Sequence, residues 1–111
     1  MSTTESPLVR VDDESYQQPL ATTPLVLPHF RADWCGPCND AVEPVFTDIA
    51  ETYADDLAVA VIDAANGQAA IDQFDIDTPL TSHLVEHGTP VARFRGKPPY
   101  MELERAIERQ L

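Results

Sequence analysis

The chain has 111 residues, which is enough for one domain with its own hydrophobic core. Nineteen acidic residues against seven basic ones give a formal net charge of −12, which argues against binding to nucleic acid or to an anionic membrane surface. Two cysteines are too few for a disulfide scaffold, and no apolar stretch approaches the length of a membrane span. The first residues show no signal-peptide pattern, so we expect a cytoplasmic protein.

The N-terminal part of the chain divides into a polar segment followed by a strand and a helix. Residues 1–7 are polar and without periodicity, so we expect a flexible segment there and a single domain over residues 8–111. The segment Leu8–Val11 predicts a short strand. Acidic and hydroxyl residues at 12–16 suit a helix start, and two prolines limit that helix to two turns.

The rest of the chain alternates apolar runs with helical patterns. Pro28 lies inside the second apolar run, where it cannot donate a hydrogen bond to a neighbouring strand. Pro44 lies inside the longest helical pattern, where we expect a kink. The elements predicted in the middle of the chain are a strand at 25–30, a helix from about 35 to 54, a strand at 57–62 and a short helix at 68–74. Two strands at 80–85 and 90–94 follow, joined by a turn at 86–89. The last element is a helix at 100–111, whose inward-facing residues are Leu103, Ala106, Ile107 and Leu111.

The order of these elements, β-α-β-α-β-α-β-β-α, predicts the fold class. Alternating strands and helices followed by a hairpin are typical of an α/β fold with a mixed central sheet and helices on both faces. The sequence has no internal repeat or linker, which agrees with one domain.

The two cysteines lie at the predicted start of the longest helix, where an apolar strand ends. Cys35 and Cys38 are three residues apart, so they share one helix face at a separation that suits a disulfide. The helix N-terminus favours the thiolate of Cys35, and Cys38 can then resolve a mixed disulfide. Gly36 leaves room for a partner's backbone, and Pro37 suits the first helical turn. The pattern indicates dithiol–disulfide exchange.

A metal site is the alternative interpretation of a cysteine pair. A tetrahedral zinc site needs four ligands, and the chain has no second pair of cysteines. His29, His83 and His87 could complete a site in principle, but their spacing matches no common zinc pattern. Redox exchange is therefore favoured over metal binding or a purely structural pair.

The sequence Trp34–Cys38 resembles the active-site motif of thioredoxins, and the element order from about Leu8 to Leu111 resembles the thioredoxin fold. The resemblance implies a protein-disulfide reductase in cell redox homeostasis, with Cys35 as the nucleophile and Cys38 as the resolving cysteine. It implies no bound cofactor or metal, because the cysteine pair is itself the redox group. The implied partners are disulfide-containing target proteins and a separate thioredoxin reductase that restores the dithiol, and the expected state is a monomer.

The resemblance also implies a substrate-binding groove beside the cysteines. Pro79, which follows Thr78, matches the family's cis-proline, and Pro90 is the rival position. Gly96 matches the glycine that lines the groove, and Trp34 is expected beside it, partly exposed. Gly36 and Pro37 of the motif complete the implied groove.

Two positions depart from the thioredoxin pattern. His29 stands where thioredoxins usually carry a buried aspartate that acts as the base for the resolving cysteine, and Val61 stands where a lysine often pairs with it. Losing both charges together avoids an unpaired buried ion. His29 could take the resolving proton, or it could be a neutral core histidine with a hydrogen bond. We expect His83 and His87 to be surface or edge residues without a role.

Other functions remain open at this point. A disulfide oxidase or isomerase would follow if the changed base raised the reduction potential, and an adaptor or a metal-binding redox sensor could use the same fold. The acidic composition, with Lys97 as the only lysine, resembles that of proteins from salt-loving archaea. At 1 M salt the screening length falls to about 3 Å, so repulsion among the acidic side chains matters little there. We therefore expect a halophilic cytoplasm.

Overall fold

The computed structural model describes residues 8–32, 43–76, 81–95 and 99–111. Within these ranges the strands are β1 (Leu8–Val11), β2 (Leu25–Arg31), β3 (Ala58–Asp63), β4 (Thr81–Glu86) and β5 (Thr89–Arg95). The helices are α1 (Gln17–Thr22), α2 (Glu43–Thr52), α3 (Gln68–Gln73) and α4 (Tyr100–Arg109). The predicted order of elements and the α/β class are confirmed.

The five described strands form one mixed sheet in the order β1-β3-β2-β4-β5. β3 pairs in parallel with both β1 and β2, while β4 pairs antiparallel with β2 and β5. A continuous apolar run suits β3, because a parallel strand in the middle of a sheet is covered on both faces. The carboxyl ends of β1, β2 and β3 therefore meet at one edge of the sheet.

Two apolar cores lie on the two faces of the sheet. α2 and α4 cover one face, and α1 and α3 cover the other. α2 contributes Phe46, Ile49 and Ala50 to its face, and α4 contributes Leu103, Ala106 and Ile107. Each large side chain that is fully buried stabilises the fold by about 1.5 to 3 kcal/mol. Phe30, Ala70 and Phe74 belong to the second core.

Pro28 interrupts the pairing of the central strand β2 with β4. The register runs unchanged from Val26 opposite Val85 to His29 opposite Ser82, but no pairs form at Leu27 and Pro28 between them. A missing bond from the Pro28 nitrogen to the carbonyl of His83 accounts for both gaps, because proline has no N–H to donate. The strand keeps its place because its parallel pairing with β3 is continuous and its residues are buried.

A two-residue turn joins β4 to β5 and confirms the predicted hairpin. His87 and Gly88 have φ angles of 49° and 84°. Two consecutive positive φ angles are the requirement of the type I′ turn, whose twist matches that of the flanking strands. The His87 amide also donates to the Pro24 carbonyl at 2.8 Å, which ties the turn to the start of β2.

Three sequence predictions about helix ends need correction. α1 begins at Gln17 and not at residues 12–16, because the Asp12 carboxylate accepts bonds from the amides of Glu14 and Ser15 and forms a turn ahead of the helix. α2 ends at Thr52. Leu111 does not face inward: α4 ends at Arg109, and Leu111 is 61% exposed.

Some predictions lie outside the described residues. These are the flexible segment at 1–7, the start of the longest helix near residue 35 and the part of that helix ahead of Glu43 in which a kink at Pro44 would show. Among the described helices, none has the length and apolar character needed to cross a membrane.

Candidate active site

Three segments that carry predicted site residues adjoin one row of the sheet. Phe30 of β2 is the register partner of Thr81 in β4, and Thr81 is the register partner of Arg95 in β5. The chain passes from this row into residues 33–42, 77–80 and 96–98, which lie outside the described residues. Those segments contain the predicted site residues Trp34, Cys35, Gly36, Pro37, Cys38, Thr78, Pro79 and Gly96.

His29 is the predicted site residue that the described ranges include. It lies on β2 one residue before Phe30, and it is 1% exposed. Its ring stacks on Phe46 of α2, with centroids 4.5 Å apart and planes at 24°. Val61 of β3 and Ser82 of β4 are its register partners on either side.

The position of Val61 agrees with the coupled loss of two charges. His29 and Val61 occupy the places of the aspartate and lysine in the resemblance, and the structure pairs them directly across β2 and β3. A lysine at Val61 would therefore lie beside the imidazole. An apolar neighbour leaves His29 without a charged partner on that side.

His29 is neutral at pH 7. Burial, with a smaller contribution from the positive charge of Arg31, lowers the pKa of the imidazole from 6.5 to about 4. Neither Nδ1 nor Nε2 has a hydrogen-bond partner in the described part of the chain. The described residues thus show the neutral state of a core histidine without the hydrogen bond expected of it, and they leave the lone pair of one ring nitrogen open.

A group of ion pairs lies beside this row, and sequence reasoning missed it. Arg31 Nη1 is 3.1 Å from Asp63 Oδ2, and Arg31 Nε is 3.8 Å from Glu43 Oε2. Glu43 Oε1 also accepts a bond from Arg10 Nη2 at 3.0 Å. These contacts join β1, β2, β3 and α2. The sequence indicated this group only through Arg31 and Asp63, which follow the apolar runs at 25–30 and 57–62.

His83 corrects a second expectation. It was predicted at the surface or an edge, but it is 6% exposed on β4 and lies 5.2 Å from the ring of Phe74, between centroids. The side chain faces α3 because it alternates with Ser82 and Leu84 along the strand. Burial, and then the charge of Arg93, lower its pKa below 6.5. His87, in contrast, is exposed in the hairpin turn.

Pro90, the rival for the proline of the groove, lies in β5 directly after the hairpin turn. It is therefore at the opposite end of the sheet from the row of Phe30, Thr81 and Arg95. No peptide bond in the described ranges is cis. Within the same ranges, no group of three or more His, Cys, Asp or Glu side chains is arranged to hold a metal ion.

Comparison with known proteins identifies the family. The model of the thioredoxin family matches residues 7–109. The thioredoxin of Alicyclobacillus acidocaldarius subsp. acidocaldarius is 35% identical over 92 residues, which cover 83% of this chain and 87% of that protein. The thioredoxin of Mycolicibacterium smegmatis is 40% identical over 96 residues, which cover 83% of this chain and 84% of that protein.

A solved structure gives the same result for the fold. A mutant thioredoxin from Halobacterium salinarum NRC-1 superposes with a TM-score of 0.84 at 30% sequence identity, covering 98% of this chain and 96% of that one. Sequence and structure agree over nearly the whole chain. The chain therefore belongs to the thioredoxin family, and its activity is that of a protein-disulfide reductase.

Proposed function

We propose that the chain reduces protein disulfides through Cys35 and Cys38, with His29 as the base for the resolving step. The observation that carries this proposal is the row formed by Phe30, Thr81 and Arg95. Three separate segments, which contain the cysteine pair, Pro79 and Gly96, adjoin that row, and His29 lies next to it on β2.

The exchange runs in two steps. The Cys35 thiolate attacks one sulfur of the target disulfide, forms a mixed disulfide and releases the other target sulfur as a thiolate that takes up a proton. Cys38 then attacks the Cys35 sulfur, and its proton passes to His29. The Cys35–target bond breaks, and the second target sulfur leaves with the electron pair and is protonated. The target gains two electrons, and the cysteine pair becomes a disulfide.

His29 suits the second step because its imidazole is a weak base that is unprotonated near neutral pH and can accept a proton. An imidazole with a pKa of about 4 is uncharged above pH 5, so a nitrogen lone pair is available throughout the physiological range. It is a much weaker base than a thiolate. The proton transfer therefore accompanies S–S bond formation, during which the attacking thiol becomes more acidic.

Target recognition is proposed for the residues around the cysteine pair. Trp34, Gly36, Pro37, Thr78, Pro79 and Gly96 form the groove in this proposal, with Pro79 in the role of the family's cis-proline. The support is their sequence match to the family and the register row of Phe30, Thr81 and Arg95, near which the chain enters each of their segments. A thioredoxin reductase is the proposed source of electrons.

The proposed setting is the cytoplasm of a halophile, with the chain acting as a monomer. A net charge of −12 with a single lysine supports this, as does the similarity to a Halobacterium salinarum thioredoxin. We further propose residues 8–111 as the working domain.

Trapping of mixed disulfides tests the mechanism. The Cys38→Ser variant, incubated with an oxidised protein substrate, should accumulate a covalent complex that dithiothreitol releases. The Cys35→Ser variant is the matched control and should form none. Complex formation by Cys35→Ser instead would exchange the two roles, and unchanged non-covalent binding by both variants would favour an adaptor.

The reduction potential of the pair separates reductase from oxidase. It is measured in molar KCl by alkylation and mass shift across a series of dithiol buffers. We expect a value near the −270 mV typical of thioredoxin, whereas a value near −120 mV would indicate an oxidase.

A further inference from the structure

Arg31 is a cation on the same face of β2 as His29. The two residues are two positions apart in one strand, so their side chains point to the same side, at a spacing of about 7 Å along the strand. The Arg31 side chain is 11% exposed. A charge held this close in a region with little water acts on its neighbour with little screening.

Two carboxylates from other elements fix the guanidinium in place. Asp63, its register partner on β3, lies 3.1 Å away, and Glu43 of α2 lies 3.8 Å away. Arg10 holds Glu43 from the opposite side at 3.0 Å. Arg31 is therefore anchored by the two elements that also pack against His29.

Among the residues that the structure describes, the groups that face His29 from neighbouring elements are otherwise uncharged. Phe46 of α2, Val61 of β3 and Ser82 of β4 carry no charge, and Arg31 is the charged group on β2 that acts on the imidazole. Asp63 and Glu43 lie beyond Arg31 and offset part of its field. A cation next to a base disfavours protonation of that base.

We propose that Arg31 is a positioning residue for the resolving step: held by Asp63 and Glu43, it adds to burial in keeping His29 uncharged and so extends catalysis to lower pH. This inference rests on the proposed role of His29 as the base. Arg31 also makes His29 a weaker base, because the same positive field that favours the neutral ring lowers the affinity of the ring for the Cys38 proton. The reaction then tolerates acid better and runs on a weaker base.

The test compares Arg31→Gln with two controls. Arg31→Lys keeps the charge, and Arg10→Gln removes an ion pair of the same group without touching the strand that carries His29. The His29 pKa is followed by NMR of its ring in each folded protein. The rate of the resolving step is followed from about pH 3 to about pH 8, a range that contains the His29 transition near pH 4, by stopped-flow release of the second thiol from an aromatic disulfide.

We expect Arg31→Gln to raise the His29 pKa by about one unit. The acid limb of the rate profile should move to higher pH by the same amount. Its rate above pH 7 should not fall, because a ring with a higher pKa is a stronger base. Arg31→Lys and Arg10→Gln should keep the wild-type profile. A merely structural role would lower the rate of Arg31→Gln at every pH and leave the limb in place.

Two results would overturn the inference. One is an unchanged His29 pKa in folded Arg31→Gln, and the other is a shifted pKa without a shifted acid limb. The profile of His29→Leu then shows whether the proposed base has failed as well. If His29→Leu loses the acid limb, His29 is the base and only the role of Arg31 is wrong; if it keeps the wild-type profile, the base role is wrong too.

Discussion

The ring of His29 lies stacked on the ring of Phe46, with 4.5 Å between the centroids. This contact joins the strand that leads to the cysteine motif with the helix that follows it. It also excludes water from the imidazole, which is the main cause of its lowered pKa. The stack therefore determines both the packing at this point of the core and the protonation state of the proposed base.

Shortening Phe46 tests that relationship. Phe46 is fully buried, so Phe46→Ala should lower the free energy of unfolding by about 3 to 5 kcal/mol. Phe46→Leu should cost less and still raise the His29 pKa, because the smaller side chain admits water. Urea unfolding and ring NMR measure the two effects. Phe94→Leu, at a partly buried site, is the control, and an unchanged His29 pKa in Phe46→Leu would show that the stack does not desolvate the ring.

Stability should fall in acid through His29. Its folded pKa of about 4 is below the unfolded value of 6.5, so the unfolded chain binds the proton more tightly. The stability contribution is complete above pH 6.5 and is lost as the pH falls toward 4. Between pH 7 and pH 5 this group alone should cost about 2 kcal/mol.

The measurement is urea unfolding of the wild type and His29→Leu at pH 7 and pH 5. The variant should lose less stability than the wild type over this interval, since other groups contribute equally to both. His87→Gln, an exposed change, should keep the wild-type dependence. Identical losses in the wild type and His29→Leu would contradict the assignment.

Two glycines should respond to alanine for different reasons. A Cβ at Gly67 would collide with the Cγ2 of Ile62, so Gly67→Ala should cost about 1 to 3 kcal/mol through displaced core packing. Gly88 has open space around it but a φ of 84°, so Gly88→Ala should cost about 1 kcal/mol through backbone strain. Thermal unfolding of both variants measures the difference, and an equal or larger loss for Gly88→Ala would contradict it.

The last helix offers a test of the corrected boundary. Ile107 is fully buried and Leu111 is 61% exposed. Ile107→Ala should therefore lower the free energy of unfolding by about 2 to 5 kcal/mol, and Leu111→Ala should change it by no more than about 0.5 kcal/mol. Urea unfolding compares the two. A large loss for Leu111→Ala would restore the inward position that the periodicity predicted.

Local patterns predicted most of the fold. The hairpin followed from a turn between two apolar runs, and the inward face of α4 at Leu103, Ala106 and Ile107 followed from its helical period. Leu111 was misplaced because the same period was extended beyond the point at which α4 ends. A periodic pattern gives the face of a helix but not its last turn.

Tertiary contacts account for what the sequence did not predict. His83 is buried because Phe74 of α3 covers that face of β4, and nothing near His83 in the sequence indicates this packing. The Arg31 ion pairs join residues far apart along the chain. The cysteine motif itself was evident from five consecutive residues, because its chemistry depends on local spacing, whereas the surroundings of His29 depend on three other elements.

The row of Phe30, Thr81 and Arg95 bears on how members of this family can diverge. Each residue anchors a different segment, and the ladder of backbone hydrogen bonds between the strands holds the anchors at fixed spacing whatever the segments contain. One segment can then gain or lose a residue without displacing the anchors of the other two. Changes in target preference can accumulate one loop at a time, while the sheet that supports the reaction stays the same.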